Sequence, residues 1–355
     1  MRIAVIAPPW LPVPPPAYGG TELVLDGLCR GLAAAGHEVL LCATGDSTCP
    51  VDKYWTFDRH LGVEHARPAA ELQHVVDAYD AAVAWGADVV HDHTITGLAW
   101  SLQHRDLPVV TTNHGPFDGE LAALYRRFGD HVPVVAISHH QASTAGDVPV
   151  AAVIHHGVDV AATRRGPGAG GYALFLGRMS PDKGVDTAIE VARRAGVPLR
   201  IAAKMREPAE RAFFESEVAP RLGRDVEYVG EVGGADKAAL LGDAVCLLNP
   251  IRWPEPFGMV MIEAMAAGTP VVGTPSGAAP EIVDDGTTGY LRTTVDGLAD
   301  AVVDAARLDR QACRRRVEER FSLARMAADH LDLYREVVDG RAVAGEDDRL
   351  VGATA

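Results

Sequence analysis

The chain has 355 residues, 48% of them apolar, with a formal net charge of −15. That length suits two domains of about 150–200 residues, each able to bury its own core. The negative balance argues against nucleic acid as a partner, because phosphate backbones are held by basic surfaces.

Ile3 to Ala7 reads as a short buried strand stopped by Pro8-Pro9, and its apolar run is too short for a signal-peptide core. No apolar stretch approaches the ~18 residues of a membrane span. After a proline-rich loop comes Tyr18-Gly19-Gly20-Thr21-Glu22, where a Gly-Gly step before a helix lets backbone approach a ligand. Thr21 to Ala35 carries Val24, Leu28 and Leu32 at helical spacing, with Gly36 as its stop. Val39–Ala43, Asp88–His91, Val109–Thr112 and Pro133–Ile137 continue as strands, and strands separated by helices imply parallel βαβ units. The five cysteines, at 29, 42, 49, 246 and 313, form no Cys-x-x-Cys and no even set, which fits a reducing, cytoplasmic setting.

His114, in Thr112-Asn113-His114-Gly115-Pro116, lies just past a strand end. There it can donate a hydrogen bond to a sugar hydroxyl, act as an acid–base group, or be satisfied by local backbone. His91-Asp92-His93, His139-His140 and His155-His156 offer metal donors, but their spacing names no firm third ligand, and no metal is expected.

Arg164 to Gly171 is glycine-rich and reads as a loop or hinge, after which the pattern restarts. Ala173–Leu176, Leu199–Ala203, Val226–Val229, Ala244–Leu248 and Pro270–Val272 read as strands and Gly184–Arg194 as a helix. The expectation is a doubly wound domain over 1–165, a second over 170–335, and a loose polar tail over 340–355, with the ligand in the cleft between the domains. The C-terminal helix can pack back on the first domain. Residues 1–160 hold 8 Lys and Arg against 18 Asp and Glu, and 13 of the 14 His.

Two constellations in the second half carry chemistry. Arg178 and Lys183, in Gly177-Arg178-Met179-Ser180-Pro181-Asp182-Lys183-Gly184, sit at a strand-to-helix crossover. Two cations there can neutralise a diphosphate as a leaving group, or Arg178 can simply pair with a structural carboxylate. Glu255 and Glu263 are separated by seven residues that include Pro256-Phe257-Gly258 and a helix start. The unpaired amides of that start form a phosphate site, and the two carboxylates can hold sugar hydroxyls. No Asp-x-Asp, Gly-x-Ser-x-Gly or Walker-type loop occurs, which argues against a diphosphate-bound metal, a serine nucleophile and ATP hydrolysis of that kind.

Taken together, these residues resemble the family 4 glycosyltransferases of the GT-B fold, an α/β architecture of two doubly wound Rossmann-like domains facing across a cleft. The resemblance spans nearly the whole chain. It rests on Gly19-Gly20-Thr21-Glu22, His114, His156-Gly157-Val158-Asp159, Gly177-Arg178 with Lys183-Gly184, and Glu255 through Gly268. It extends through Pro270–Gly273 and Pro280–Val283 with Gly286 and Gly289. Many relatives have Asn where this chain has His156.

The resemblance implies retaining, metal-independent transfer of a sugar from a nucleoside diphosphate sugar, UDP being the family default, with no other cofactor. By similarity Arg178 and Lys183 bind the diphosphate, Glu263 the ribose, and Glu255 the donor sugar, with the backbone of Phe257, Gly258, Met259 and Val260 nearby. Gly20 approaches the donor phosphate from the first domain, His114 lies by the donor sugar, and Val232, in Gly230-Glu231-Val232, marks where the base is read. The acidic first domain points to a soluble acceptor (a small molecule, natural product or oligosaccharide), with no nucleic acid and no spanning segment. Phosphorylases and sugar-nucleotide epimerases share the fold, and a non-catalytic sugar-nucleotide-binding protein is the reading from another class.

Overall fold

The structure is a computed structural model that describes residues 1–62 and 67–351. It contains two compact units. Unit 1 comprises residues 1–15, 21–155 and the chain from Leu323 onward, and unit 2 comprises 16–20 and 156–322.

In unit 1 the strands are β1 (Arg2–Ile6), β2 (Glu38–Ala43), β3 (Asp52–Trp55), β4 (Val89–Asp92), β5 (Val109–Thr112), β6 (Val134–Ala136) and β7 (Val150–Val153). Between them run α1 (Gly20–Ala34), α2 (Pro68–Trp85), α3 (Gly97–Trp100), α4 (Gly119–Phe128) and α5 (His139–Ser143). The sheet is parallel, in the order β3-β2-β1-β4-β5-β6-β7. Its central strands are buried on both faces, as helices on both sides require, with polar residues toward the carboxyl ends of β4 and β5. Ile3, Ala4, Val5 and Ile6 are fully buried, and α1 sets Leu25, Leu28 and Leu32 into the core.

Unit 2 repeats the plan. Its strands are β8 (Ala173–Arg178), β9 (Leu199–Lys204), β10 (Val226–Gly230), β11 (Cys246–Asn249), β12 (Val271–Gly273) and β13 (Gly289–Leu291). Its helices are α6 (Val185–Ala195), α7 (Pro208–Phe213), α8 (Gly234–Asp243), α9 (Met259–Ala266), α10 (Ala279–Ile282), α11 (Val295–Ala305) and α12 (Arg310–Arg320). The parallel order is β10-β9-β8-β11-β12-β13. Phe175, Ile189, Ile201, Leu248 and Val302 pack in one cluster. In each sheet the order reverses beside the first strand, between β1 and β4 and between β8 and β11. The carboxyl ends of those strands are where open α/β sheets bind ligands.

The chain changes unit at His155/His156, ahead of the glycine-rich stretch where the sequence suggested a join. That stretch is bonded to unit 2 through its backbone. Gly166, Gly168 and Gly170 donate backbone bonds to Ala267, Gly242 and Asp243 at 3.0, 3.0 and 2.9 Å. The Arg310 guanidinium bonds the carbonyls of Gly166, Ala244 and Gly242 and the Thr269 hydroxyl. The last helix, α13 (Leu323–Val351), belongs to unit 1, and residues 352–355 of the expected tail lie outside the described residues. Among the described residues no helix is long and apolar enough to cross a membrane.

Candidate active site

In unit 2, β8 delivers Arg178 to the carboxyl end of the sheet, in register with Lys204 on β9. A 3₁₀ turn over Pro181–Lys183 follows and ends at Gly184, whose φ of 75° lies in the left-handed region. A Cβ on Gly184 would stand 2.1 Å from the Pro250 carbonyl oxygen, so glycine alone lets the β8 and β11 loops meet this closely. The Arg178 guanidinium bonds the Asp182 carboxylate at 2.9 Å. Burial pushes the Asp182 carboxyl up, but the Ser180 hydroxyl and the charges of Arg178 and Lys183 outweigh it and hold it below its ordinary value.

Lys183 Nζ donates to the Glu255 carboxylate, their side chains being 12% and 16% exposed. The Trp253 ring lies 5.5 Å from the same Nζ. Glu255 is fixed by its backbone, its N–H donating to the Trp253 carbonyl at 2.9 Å and its carbonyl accepting from Ala278 N–H at 3.0 Å. Phe257 is buried, 5.0 Å from the His156 ring edge-on, which gives His156 a packing role. Gly258 then turns left-handed at φ 99° and α9 begins, with Met259 and Val260 half-buried in its first turn. The opening amides of a helix have no acceptor within it and carry partial positive charge.

Glu263 lies further along α9 and accepts from Lys237 Nζ of α8 at 2.6 Å. After β10, Glu231 accepts from the Arg206 guanidinium at 2.6 and 3.1 Å and from the Tyr18 N–H at 3.1 Å, with Val232 half-buried beside it. Lys204 is buried between Glu207 and Glu210, at 2.8 and 3.1 Å. Gly20 falls with residues 16–20 in unit 2 and not in the first domain from which it was expected to approach, because the chain re-enters unit 1 only at Thr21. A Cβ on it would meet nothing within 4 Å.

In unit 1, His114 follows β5 and its Nε2 lies 2.9 Å from His93 Nδ1. Burial, reinforced by His330, lowers the His114 imidazole to about 4, so it is neutral at pH 7. His91 is buried, its Nδ1 2.6 Å from the Tyr334 hydroxyl and its Nε2 2.7 Å from the Thr112 hydroxyl. Both His91 nitrogens are therefore engaged by protein groups.

Arg178, Lys183, Glu255 and the Phe257–Val260 turn thus converge at the reversal point of the unit 2 sheet. Arg178 also has the structural carboxylate partner that its sequence allowed, Asp182 at i+4. Glu263 does not join the Lys183–Glu255 pair and is held by Lys237. Sequence reading missed Lys237, Trp253, Tyr334 and His330. The i+4 spacing of Asp182 is a local signal, whereas Lys237 and Tyr334 reach partners 26 and 243 residues away and leave none.

Residues 18–162 match a family model described as Glycosyltransferase Family 4, and residues 170–307 one described as Glycosyl transferases group 1. The phosphatidyl-myo-inositol mannosyltransferase of Mycobacterium leprae is 28% identical over 87% of this chain and 88% of its own. The glycogen synthase of Mycobacterium tuberculosis is 29% identical over 94% of each chain. Among solved structures, AviGT4, a glycosyltransferase involved in avilamycin A biosynthesis, aligns with a TM-score of 0.74 and 27% identity over 96% of this chain and 98% of that one. Sucrose-phosphate synthase from Thermosynechococcus elongatus shares the fold, with a TM-score of 0.78 at 21% identity over 96% and 99%. With a glycosyltransferase family model on each unit and sugar-transferring relatives aligned nearly end to end, the chain belongs to the family 4 glycosyltransferases and has the GT-B fold.

Proposed function

We propose that this enzyme moves a sugar from a nucleoside diphosphate sugar, with UDP as the first candidate, to a hydroxyl of a soluble small molecule, natural product or oligosaccharide. Transfer proceeds with retention at the anomeric carbon and without a metal. Unit 2 takes the donor and unit 1 the acceptor. The observation that carries this reading is the Lys183–Glu255 pair at the reversal point of the unit 2 sheet, with Arg178 ending the strand that leads into Lys183.

Breaking an anomeric bond builds negative charge on the leaving diphosphate and positive charge on the sugar. Arg178, Lys183 and the opening amides of α9 supply donors for the first, and Glu255 supplies a carboxylate for the second. The two cations take the part a divalent ion plays elsewhere. Glu263 keeps one carboxylate oxygen beyond the Lys237 bond to accept from ribose hydroxyls, and Val232 is the residue we assign to contact the base. Open space at Gly20 lets its backbone meet a phosphate oxygen. His114, held neutral, suits hydrogen bonding to a sugar hydroxyl better than charge stabilisation. Same-face attack follows if the leaving phosphate itself accepts the acceptor's proton. The acidity of residues 1–160 favours a soluble acceptor over an anionic lipid, whereas the likeness to a phosphatidyl-myo-inositol mannosyltransferase is what a lipid acceptor would rest on.

Thermal unfolding with UDP, GDP or ADP, each with magnesium or with chelator, tests the donor site. A ligand at 100 times its Kd adds about 2.7 kcal/mol. We expect UDP to raise Tm equally in both conditions. A rise with GDP or ADP alone would reassign the base, a rise that needs magnesium would overturn the metal-free reading, and no rise with any would overturn the donor site. The anomeric proton coupling of the first product then reads retention or inversion directly.

A further inference from the structure

Three histidines stand in sequence at the carboxyl ends of β4 and β5. The ring centroids of His91 and His93 are 4.0 Å apart, and those of His93 and His114 are 5.1 Å apart. His91 is pinned at both nitrogens, by Tyr334 of α13 and Thr112 of β5. It is therefore a fixed plate against which the His93 ring rests. His93 in turn places Nδ1 2.9 Å from His114 Nε2.

A hydrogen bond between two neutral imidazoles holds one proton, and its position decides what each ring offers at its other nitrogen. If His93 Nδ1 carries the proton, His114 is protonated at Nδ1 and presents a donor there. If His114 Nε2 carries it, His114 Nδ1 is an acceptor. The second arrangement puts the proton of both rings on Nε2, the tautomer that free imidazole side chains favour.

We propose that His93 is a positioning residue for His114: it accepts the Nε2–H of His114, fixes that ring, and makes Nδ1 the acceptor through which His114 takes a hydroxyl of the transferred sugar. The last clause rests on the reading of His114 as a donor-sugar group, while the tautomer does not.

Asparagine and glutamine at position 93 separate this from a packing role. Asparagine can place its amide oxygen near the position of Nδ1, whereas glutamine carries its amide out toward the position of Nε2. Long-range proton–nitrogen spectra of the imidazoles, with His114 assigned by its absence in His114→Gln, read the tautomer without any activity. We expect the Nε2–H form in the native protein and in His93→Asn, and a mixture of forms in His93→Gln. An Nδ1–H form in the native protein, or a His114 signal indifferent to His93→Gln, would overturn the proposal. In transfer assays kcat of His93→Gln should fall by up to about a hundredfold with donor KM within about threefold, and His93→Asn should recover most of it. Equal loss in the two variants would overturn the positioning role. If the native enzyme transfers from no nucleoside diphosphate sugar, the functional reading fails, and the spectra still decide the tautomer.

Discussion

Lys183 and Glu255 neutralise each other where little water reaches them, so the two sides of the pair respond differently to mutation. Lys183→Ala leaves a carboxylate without its partner, at a cost of about 1–3 kcal/mol. Glu255→Gln keeps the shape and still offers Lys183 an oxygen, so its stability should stay within about 1 kcal/mol of native. Both should lower transfer by at least about a hundredfold, since one removes a cation from the leaving group and the other a charge from the sugar. Steady-state kinetics beside urea unfolding check this, and near-native turnover in either variant would remove the pair from the reaction. This residue set was legible in the sequence because its members lie in two short segments, each next to a strand end. What was not legible is who holds them. Glu263 reads as a free ribose ligand until Lys237 of α8 is seen on it, and no spacing rule connects two helices.

At the scale of elements, the loops after β8 and β11 meet at a point with no room for a side chain. Gly184 combines a left-handed φ of 75° with a Cβ position 2.1 Å from the Pro250 carbonyl. Gly184→Ala should cost well over ~1 kcal/mol and weaken donor binding, because relief of the contact moves Lys183 off Glu255. Gly20→Ala is the matched control. Its Cβ enters open space at the start of α1, so stability should hold within about 0.5 kcal/mol while nucleotide affinity falls. Calorimetry of the free and nucleotide-bound forms separates the two effects, and unchanged affinity in Gly20→Ala would remove Gly20 from the phosphate contact. The same scale shows why strand reading succeeded in part. β1, β2 and β6 and the core strands of unit 2 carry apolar runs, and β4 and β5 each open on Val-Val before turning polar at their carboxyl ends. By contrast β3 is Asp-Lys-Tyr-Trp at a sheet edge, β7 is a half-exposed edge, and β13 is three residues beginning with glycine, so none carries a period to read.

Within unit 1, α13 sets His330 and Tyr334 against His91. This places a pH dependence in unit 1. Burial lowers His114 and His330 to about 4 from an ordinary 6.5, and it lowers His74 and His91 as well. A histidine whose folded value is depressed takes up its proton first in the unfolded chain. Its contribution is therefore complete above about pH 6.5 and is lost as pH falls toward 4. Asp92 acts in the opposite sense: burial raises it to about 6 from 3.8, so its unfavourable charge is relieved as pH falls through 6. His37 is depressed by burial as well, and the buried Glu22 carboxyl is raised like that of Asp92, so five histidines stand against two carboxyls and leave a net loss of stability on acidification. At about 1.4 kcal/mol per pKa unit, His330 alone accounts for up to about 3 kcal/mol, less whatever part of its repulsion with His114 is shared. Of the five tryptophans, Trp10, Trp55, Trp85 and Trp100 lie in unit 1 and Trp253 in unit 2. Urea unfolding followed by fluorescence in a Trp253→Phe background therefore reports unit 1. The unfolding free energy should fall steadily from pH 7 to pH 5, and His330→Gln should flatten the slope by up to one proton. A flat profile in the parent would mean that these histidines take up protons in the folded chain as readily as in the unfolded one, and the depression assigned to their burial would be wrong.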